Sequence, residues 1–269
     1  MILENLLKSL ANKIGLLEAE ILISYSLGNK REFLYSNPKH KISNSEFSKI
    51  SILLEKRLKG VPVAYLTEKK SFWKNEFYIN DSVLVPRPET ETIMESILRE
   101  DLNNAVLLEL GTGSGILALS IAQENPSSAI FATDISVDAL EVSKKNSLNM
   151  GCKNVIFINH DWNNEWLFPD LDYVISNPPY VDKKSLLGNE DGLWHEPETA
   201  LFSEANGLFD LNVIIKKSYA FLKPQGKLFL EHAPSQKDAI VKMSKQNKYS
   251  NIEHIKDLNE DFRVSIIQK

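Results

Sequence analysis

Cysteine is almost missing from this chain: Cys152 is the single one in 269 residues. One thiol excludes an internal disulfide framework and any metal site built on several cysteines, and it fits a reducing compartment. With no partner flanking it, Cys152 reads as a buried or loop thiol. Long apolar runs are missing too, since no stretch nears the ~18 uninterrupted residues of a membrane span. The opening Met1-Ile2-Leu3-Glu4-Asn5-Leu6-Leu7-Lys8 is broken by an acid and a lysine. It reads as an amphipathic helix start rather than a signal peptide. A cytoplasmic protein with no membrane partner is expected. No repeat period or low-complexity tract appears. A positive excess is also lacking: the net charge is -5, with 12 Lys+Arg against 7 Asp+Glu in residues 1–70 and 19 against 29 in residues 71–269. The larger part is a poor polyanion binder on charge alone, so nucleic acid is not an expected partner. The basic smaller part either touches a partner or RNA or presents a solvated helix surface.

Hydrophobic residues make up 43% of the chain, enough for one full domain plus a smaller one. From Ile2 to about Gly60, apolar residues recur at helical spacing. Leu3, Leu6, Leu7 and Leu10 share a face, as do Leu16, Ala19, Ile23 and Leu27, and later Phe47, Ile50, Leu54 and Leu58. Gly28-Asn29 and Ser36-Asn37-Pro38 punctuate them, and Asn44-Ser45 offers a cap, so a bundle of four or five helices is expected. The helical pattern stops at Gly60-Val61-Pro62-Val63-Ala64-Tyr65-Leu66. Ser71-Phe72-Trp73 and Phe77-Tyr78-Ile79 around Lys74-Asn75-Glu76 then predict a β-hairpin. Strands at 105–110, 129–133, 155–158, 173–176 and 226–231 alternate with helices at 116–123, 137–149, 209–222 and 236–245. Two last strands, 252–256 and 263–267, have no helix between them. This order predicts an α/β fold, a parallel sheet covered on both faces with an antiparallel finish. The expected divisions are 1–70 helical, 71–85 a hairpin linker, and 86–269 the sheet domain.

The most informative stretch is Asn177-Pro178-Pro179-Tyr180, which ends the apolar run Tyr173-Val174-Ile175-Ser176. Two prolines cannot donate ladder hydrogen bonds, so the strand stops and leaves Asn177 and Tyr180 at its mouth, where open α/β sheets bind ligands. An asparagine amide matches another planar amide or an aminated base edge. Tyrosine supplies a flat face for such a group. The tetrapeptide reads as a clamp for a planar group carrying an NH2.

Upstream, the first sheet strand runs into Glu109-Leu110-Gly111-Thr112-Gly113-Ser114-Gly115 and turns into a helix. Such a turn is either a bare structural turn or a place where a ligand approaches backbone and helix N-terminal amides. A dinucleotide fingerprint needs its third glycine where this chain has Ile116. Asp134 ends the next strand, positioned to accept ribose hydroxyls, while the helix cap there belongs more naturally to Ser136. After the third strand comes His160-Asp161-Trp162. Arg87, between two prolines, either aims at a ligand or pairs with Glu89 or Glu91. His160, His195 and His232 are spread through the chain without i, i+4 spacing, so no metal is expected.

The glycine loop resembles the cofactor loop of Rossmann-like methyltransferases that use S-adenosylmethionine. Asn177-Pro178-Pro179-Tyr180 occurs in methyltransferases acting on planar amino groups, adenine-N6 and glutamine-N5 enzymes among them. Several further motifs look like the HemK/PrmC family of peptide chain release factor N5-glutamine methyltransferases. They are Gly60-Val61-Pro62-Val63-Ala64-Tyr65, Phe72-Trp73, Pro86-Arg87-Pro88-Glu89-Thr90-Glu91 and Glu196-Pro197-Glu198-Thr199-Ala200-Leu201. The resemblance spans nearly the whole chain. It implies a class I methyltransferase sheet, S-adenosyl-L-methionine as methyl donor with S-adenosyl-L-homocysteine as product, and no metal. It further implies a release factor partner, held by the 1–70 bundle and methylated on the glutamine of its Gly-Gly-Gln motif. A monomer is expected.

By resemblance, Glu109 faces the cofactor ammonium while Gly111 and Gly113 pass under its methionine part, with Thr112, Ser114 and Gly115 completing the loop. Asp134 takes the ribose, and Asp161 and Trp162 border the adenine, Trp162 being otherwise plain core. Asn177, which also touches the cofactor, and the Pro178 carbonyl accept the acceptor's amide hydrogens, with Pro179 and Tyr180 packing the amide. Departures from the family pattern stand at Glu68 and Ala233, where glycine is usual, and at Trp194-His195. The rival readings are glutamine-N5 methylation of a ribosomal protein, adenine-N6 methylation of nucleic acid, and a cofactor-binding module without catalysis.

Overall fold

The computed structural model describes residues 1–185 and 193–269. The chain divides into two compact units, the smaller made of Met1–Lys69 with Leu193–His195 and the larger of the remainder.

The smaller unit is helical: α1 (Leu3–Ile14), α2 (Leu16–Leu27), α3 (Arg31–Ser36), α4 (Asn44–Leu58) and α5 (Val63–Thr67). Leu3, Leu6, Leu10, Ala19, Ile23, Leu34, Ile42 and Ile50 form its core. Leu16, Phe47 and Leu58, assigned to inner faces from their spacing, are outward and more than two-fifths exposed. The α4 cap is Ser43 rather than Asn44 or Ser45. Its hydroxyl accepts the Glu46 N–H while Glu46 returns to the Ser43 N–H at 2.8 Å, a reciprocal capping box. Helix α5 contradicts the expected end of helical structure at Gly60: Pro62 sits just before the first turn, and its fixed φ starts a new helix.

A two-stranded hairpin follows, β1 (Lys69–Phe72) and β2 (Asn75–Tyr78). Within the larger unit, Trp73 donates its backbone N–H to Glu91 and its indole to Glu124, while the Asn146 side-chain amide accepts the Tyr78 N–H and donates to the Tyr78 carbonyl. A short 3-10 turn at Pro88–Thr90 opens α6 (Glu91–Ile97). The sheet elements then run β3 (Val106–Leu110), α7 (Ile116–Glu124), β4 (Ala129–Asp134), α8 (Val137–Met150), β5 (Val155–Asn159) and β6 (Leu171–Ser176). They continue through α9 (Glu198–Leu201), α10 (Glu204–Gly207), α11 (Phe209–Phe221), β7 (Leu222–Glu231), α12 (Lys237–Gln246), β8 (Asn251–Lys256) and β9 (Phe262–Gln268).

The seven strands are ordered β5-β4-β3-β6-β7-β9-β8, parallel except for the pairs made by β9. From β3 the chain builds β4 and β5 on one side, then crosses to place β6 on the other. The switch therefore lies between β3 and β6, and a crevice opens beyond their carboxyl ends. Strand β7 starts at Leu222, earlier than the apolar run at 226. Its pairing with β6 jumps from Leu171–Leu222 to Tyr173–Lys227, an irregularity around Pro224, which has no N–H to donate. Leu108, Leu110, Val174, Leu228, Leu230, Ile214 and Ile240 lie in the core between this sheet and helices α11 and α12.

Candidate active site

Leu110 and Ser176, paired at the ends of β3 and β6, are linked by a 2.8 Å bond from Ser176 Oγ to the Leu110 carbonyl. The glycine loop and the Asn-Pro-Pro-Tyr segment thus emerge side by side, 62 residues apart in sequence as counted from Gly115 to Asn177. Between them lies a cleft of about 790 Å³, counting its open mouth. Glu109, Gly111, Thr112, Gly113, Ser114, Asp134, Trp162, Asn177 and Pro179 line it.

Glu109 is buried. Its Oε2 accepts from Thr112 Oγ1 at 2.5 Å and from the Ala118 N–H at 3.2 Å. Burial pushes this carboxyl up to about 8, against the pull of those two donors. A cation in the cleft would favour its charged form. Asp134 accepts the Gly113 N–H on Oδ2 and the Ser136 N–H on Oδ1, both at 2.9 Å, and burial raises it as well. Each of its oxygens keeps a further lone pair for a ligand hydroxyl. Ser136 caps α8 through the Ala139 N–H. The Trp162 ring lies over Gly111, where a Cβ would come within 3.3 Å of Cζ3, and its indole donates to Asp210 at 2.9 Å. A buried and a partly buried acid, a backbone turn open to close approach and an aromatic wall suit a ligand with a cationic end, hydroxyls and a flat ring.

Asn177 donates Nδ2 to Thr90 Oγ1 at 3.1 Å, and its Oδ1 makes no hydrogen bond among the described residues. Pro178 is buried. Four residues in the sequence reading do not line the cleft: Gly115, Asp161, Pro178 and Tyr180. Gly115 precedes α7 in left-handed conformation. Asp161 turns to Asn163, accepting both its backbone and side-chain N–H groups. Tyr180 sends its hydroxyl away, to Glu231 at 3.1 Å. Arg87 does line the cleft, but its carboxylate partner is Glu196, at 2.6 Å, rather than Glu89 or Glu91. The buried Glu196 also accepts the Val85 N–H at 2.9 Å, so two cleft walls distant in sequence are joined through it.

Thr90 and Glu196 stand in the quoted family motifs but carry no assigned role from sequence, and Glu231, Gln236 and Gly207 have none either. Gln236 donates to the carbonyls of Tyr180 and Gly207. Gly207, at φ +78, packs so closely on the Tyr180 carbonyl that a Cβ would collide with it. Local sequence carries no signal for such contacts. Cys152 is half-buried beside the Leu119 carbonyl, and burial pushes its thiol pKa up. His160, His195 and His232 lie apart from one another: His160 meets Phe168 edge-on, His195 contacts the Lys59 carbonyl, and His232 contacts Ser265.

A sheet of this order, with its ligand cleft at the β3–β6 switch, defines a Rossmann-like methyltransferase. Comparison with known proteins agrees: residues 89–193 match the methyltransferase small domain and residues 3–67 the PrmC N-terminal domain. The release factor glutamine methyltransferase of Shewanella oneidensis is 34% identical over 251 residues, 93% of this chain and 88% of that protein. That of Salmonella typhimurium is 32% identical, covering 92% and 90%. A methyltransferase of solved structure from Pyrococcus furiosus shares the fold, with a TM-score of 0.54 at 17% identity over 82% of this chain and 98% of that one. The chain belongs to the release factor glutamine methyltransferase family.

Proposed function

We propose that this protein transfers a methyl group from S-adenosyl-L-methionine to the side-chain amide nitrogen of a glutamine in a peptide chain release factor, the one in its Gly-Gly-Gln motif. The observation that carries the reading is the orientation of Asn177: its NH2 is taken up by Thr90, which leaves a carbonyl-type oxygen for a ligand N–H in the cleft. An amide NH2 is the group such an oxygen receives.

Bound in the cleft, S-adenosylmethionine supplies a methyl group on a cationic sulfonium. Glu109 offers a carboxylate to its ammonium, Gly111 to Gly113 present backbone, and Asp134 accepts its ribose hydroxyls. A glutamine nitrogen is a weak nucleophile because its lone pair is delocalised. Asn177 Oδ1 and the Pro178 carbonyl accept its two hydrogens, hold it in line and make it more electron-rich, which is catalysis by positioning. The buried prolines keep both acceptors rigid. We assign release factor recognition to the helical residues 1–70, where Leu16, Leu17 and Tyr35 are each more than half exposed and supply apolar contact surface.

Incubating the protein with a release factor and methyl-labelled cofactor, then mapping the label by mass spectrometry, tests the reading. A single methyl on the Gly-Gly-Gln glutamine side chain is expected. Label on nucleic acid or on a ribosomal protein, with none on the release factor, would overturn it.

A further inference from the structure

Asp210 and Lys217 stand on α11, and the reaction as described gives neither of them a task. They are seven residues apart, two helical turns, which puts both on one face of the helix. That face holds the segment that follows β5. Lys217 Nζ donates to the carbonyls of Trp162, Asn163 and Asn164 at 2.8, 2.7 and 2.6 Å, which uses all three of its hydrogens. Asp210, itself buried, accepts the Trp162 indole N–H on Oδ1 at 2.9 Å. Its Oδ2 accepts the Ser203 hydroxyl at 2.6 Å, and its own backbone N–H donates to that Ser203 oxygen at 3.2 Å, so the carboxylate is anchored from the other side. The far edge of the indole faces the glycine loop, with Cζ3 and Cη2 over Gly111. Nε1 belongs to the five-membered ring and Cζ3 to the six-membered ring, so the indole is fixed at both edges. Trp162 is only partly buried and lines the cleft. A ring presented to a ligand must keep one angle with no protein on that side to hold it, and a charge-assisted hydrogen bond at its edge supplies the constraint.

We propose that Asp210 is a positioning residue for the methyl donor: by holding the indole N–H it sets the plane of Trp162, and with it the surface against which the flat ring of the cofactor lies. Lys217 fixes the backbone that carries this ring. The inference deepens the proposed reaction and rests on it for the identity of the ligand.

Calorimetry with S-adenosylhomocysteine on the full chain tests it in wild type, Asp210→Ala, Asp210→Asn, Trp162→Phe and the double variant Asp210→Ala/Trp162→Phe. Asp210→Ala should weaken binding roughly tenfold or more, the scale of a hydrogen bond to a charged group. Asp210→Asn keeps a neutral acceptor for the indole and should lose only a few-fold. Trp162→Phe keeps a ring but has no N–H to give. On top of it, Asp210→Ala should cost nothing further, because a residue acting only through the indole has nothing left to hold. The bond itself is read by 15N NMR of the tryptophan indoles: the signal missing in Trp162→Phe should move upfield in Asp210→Ala and, by less, in Asp210→Asn. Wild-type affinity in Asp210→Ala, an indole signal that stays in place, or a loss as large with Trp162→Phe as without it would each overturn the proposal. If the alanine variant does not fold, Asp210→Asn decides in its place, since wild-type affinity together with an unmoved indole signal there overturns it equally. A wild type that binds S-adenosylhomocysteine but leaves the release factor unmethylated would defeat the function reading alone, and one that does not bind it would defeat both.

Discussion

At Asn177 the decisive feature is which of its two ends is free, and Thr90 settles that by taking the NH2. Replacement by alanine removes the acceptor and leaves the Glu109 and Asp134 side of the cleft intact. Asn177→Ala should cut methyl transfer on the order of a thousandfold, as losing a fixed polar group at a reacting centre does. Calorimetry with S-adenosylhomocysteine should show binding changed only modestly. Asp134→Ala should do the reverse. Its carboxylate holds the Gly113 and Ser136 N–H groups and offers its remaining lone pairs to a ligand, so its loss both loosens the loop and removes the ribose contact. Cofactor affinity should drop roughly tenfold or more, the cost of a charge-assisted hydrogen bond. In the same titration, kcat at saturation should be far less affected.

Two element ends carry backbone that side chains rarely adopt. Glu68 ends α5 at φ 55 in the left-handed region, and it stands where the family pattern usually has glycine. Glu68→Gly should stabilise the protein by up to about 1 kcal/mol by relieving that conformation, offset in part by glycine's freedom in the unfolded chain. A shift of the urea midpoint to higher concentration checks it. Ala233, the other departure from glycine, sits at φ -70, which any residue adopts, so the same exchange there should gain nothing. The α10 turn is the opposite case. Ala205 and Asn206 are left-handed without strain relief, and Gly207 lies against the Tyr180 backbone. Gly207→Ala should force Tyr180 and its hydrogen bond from Gln236 apart. A loss of roughly 1–3 kcal/mol of stability is expected from overpacking, with a parallel loss of activity, both read on one purified variant.

Across the whole molecule, two fully buried carboxyls bind protons more tightly folded than unfolded, Glu109 at about 8 and Glu231 at about 7. Both values lie above the 4.5 of the free side chain, so each contributes stability that is fully present below about pH 4.5. That contribution is lost as pH rises through about 7 for Glu231 and about 8 for Glu109. For the protein without cofactor, urea unfolding should therefore give a higher midpoint at pH 6 than at pH 8.5. Glu109→Gln should shrink the difference, because glutamine has no charge to bury. A midpoint difference untouched by that substitution would assign the pH dependence to other groups.

Local pattern was enough for the alternation of strands and helices, the antiparallel finish and the strand end at Asn177, since hydrophobic period and proline chemistry act over a few residues. It was also enough to pick out the glycine loop and Asp134, because both are element ends with a recognisable residue type. Tertiary structure alone decided the rest. It turned Tyr180 toward Glu231, gave Arg87 to Glu196 and set Gly207 under the Tyr180 carbonyl. It also aimed the Asn177 amide through a threonine 87 positions earlier in the chain. Such partners are chosen by the order of strands in the sheet, which brings distant chain segments to one edge. A hydrogen bond leaves no periodic trace in the sequence of either partner.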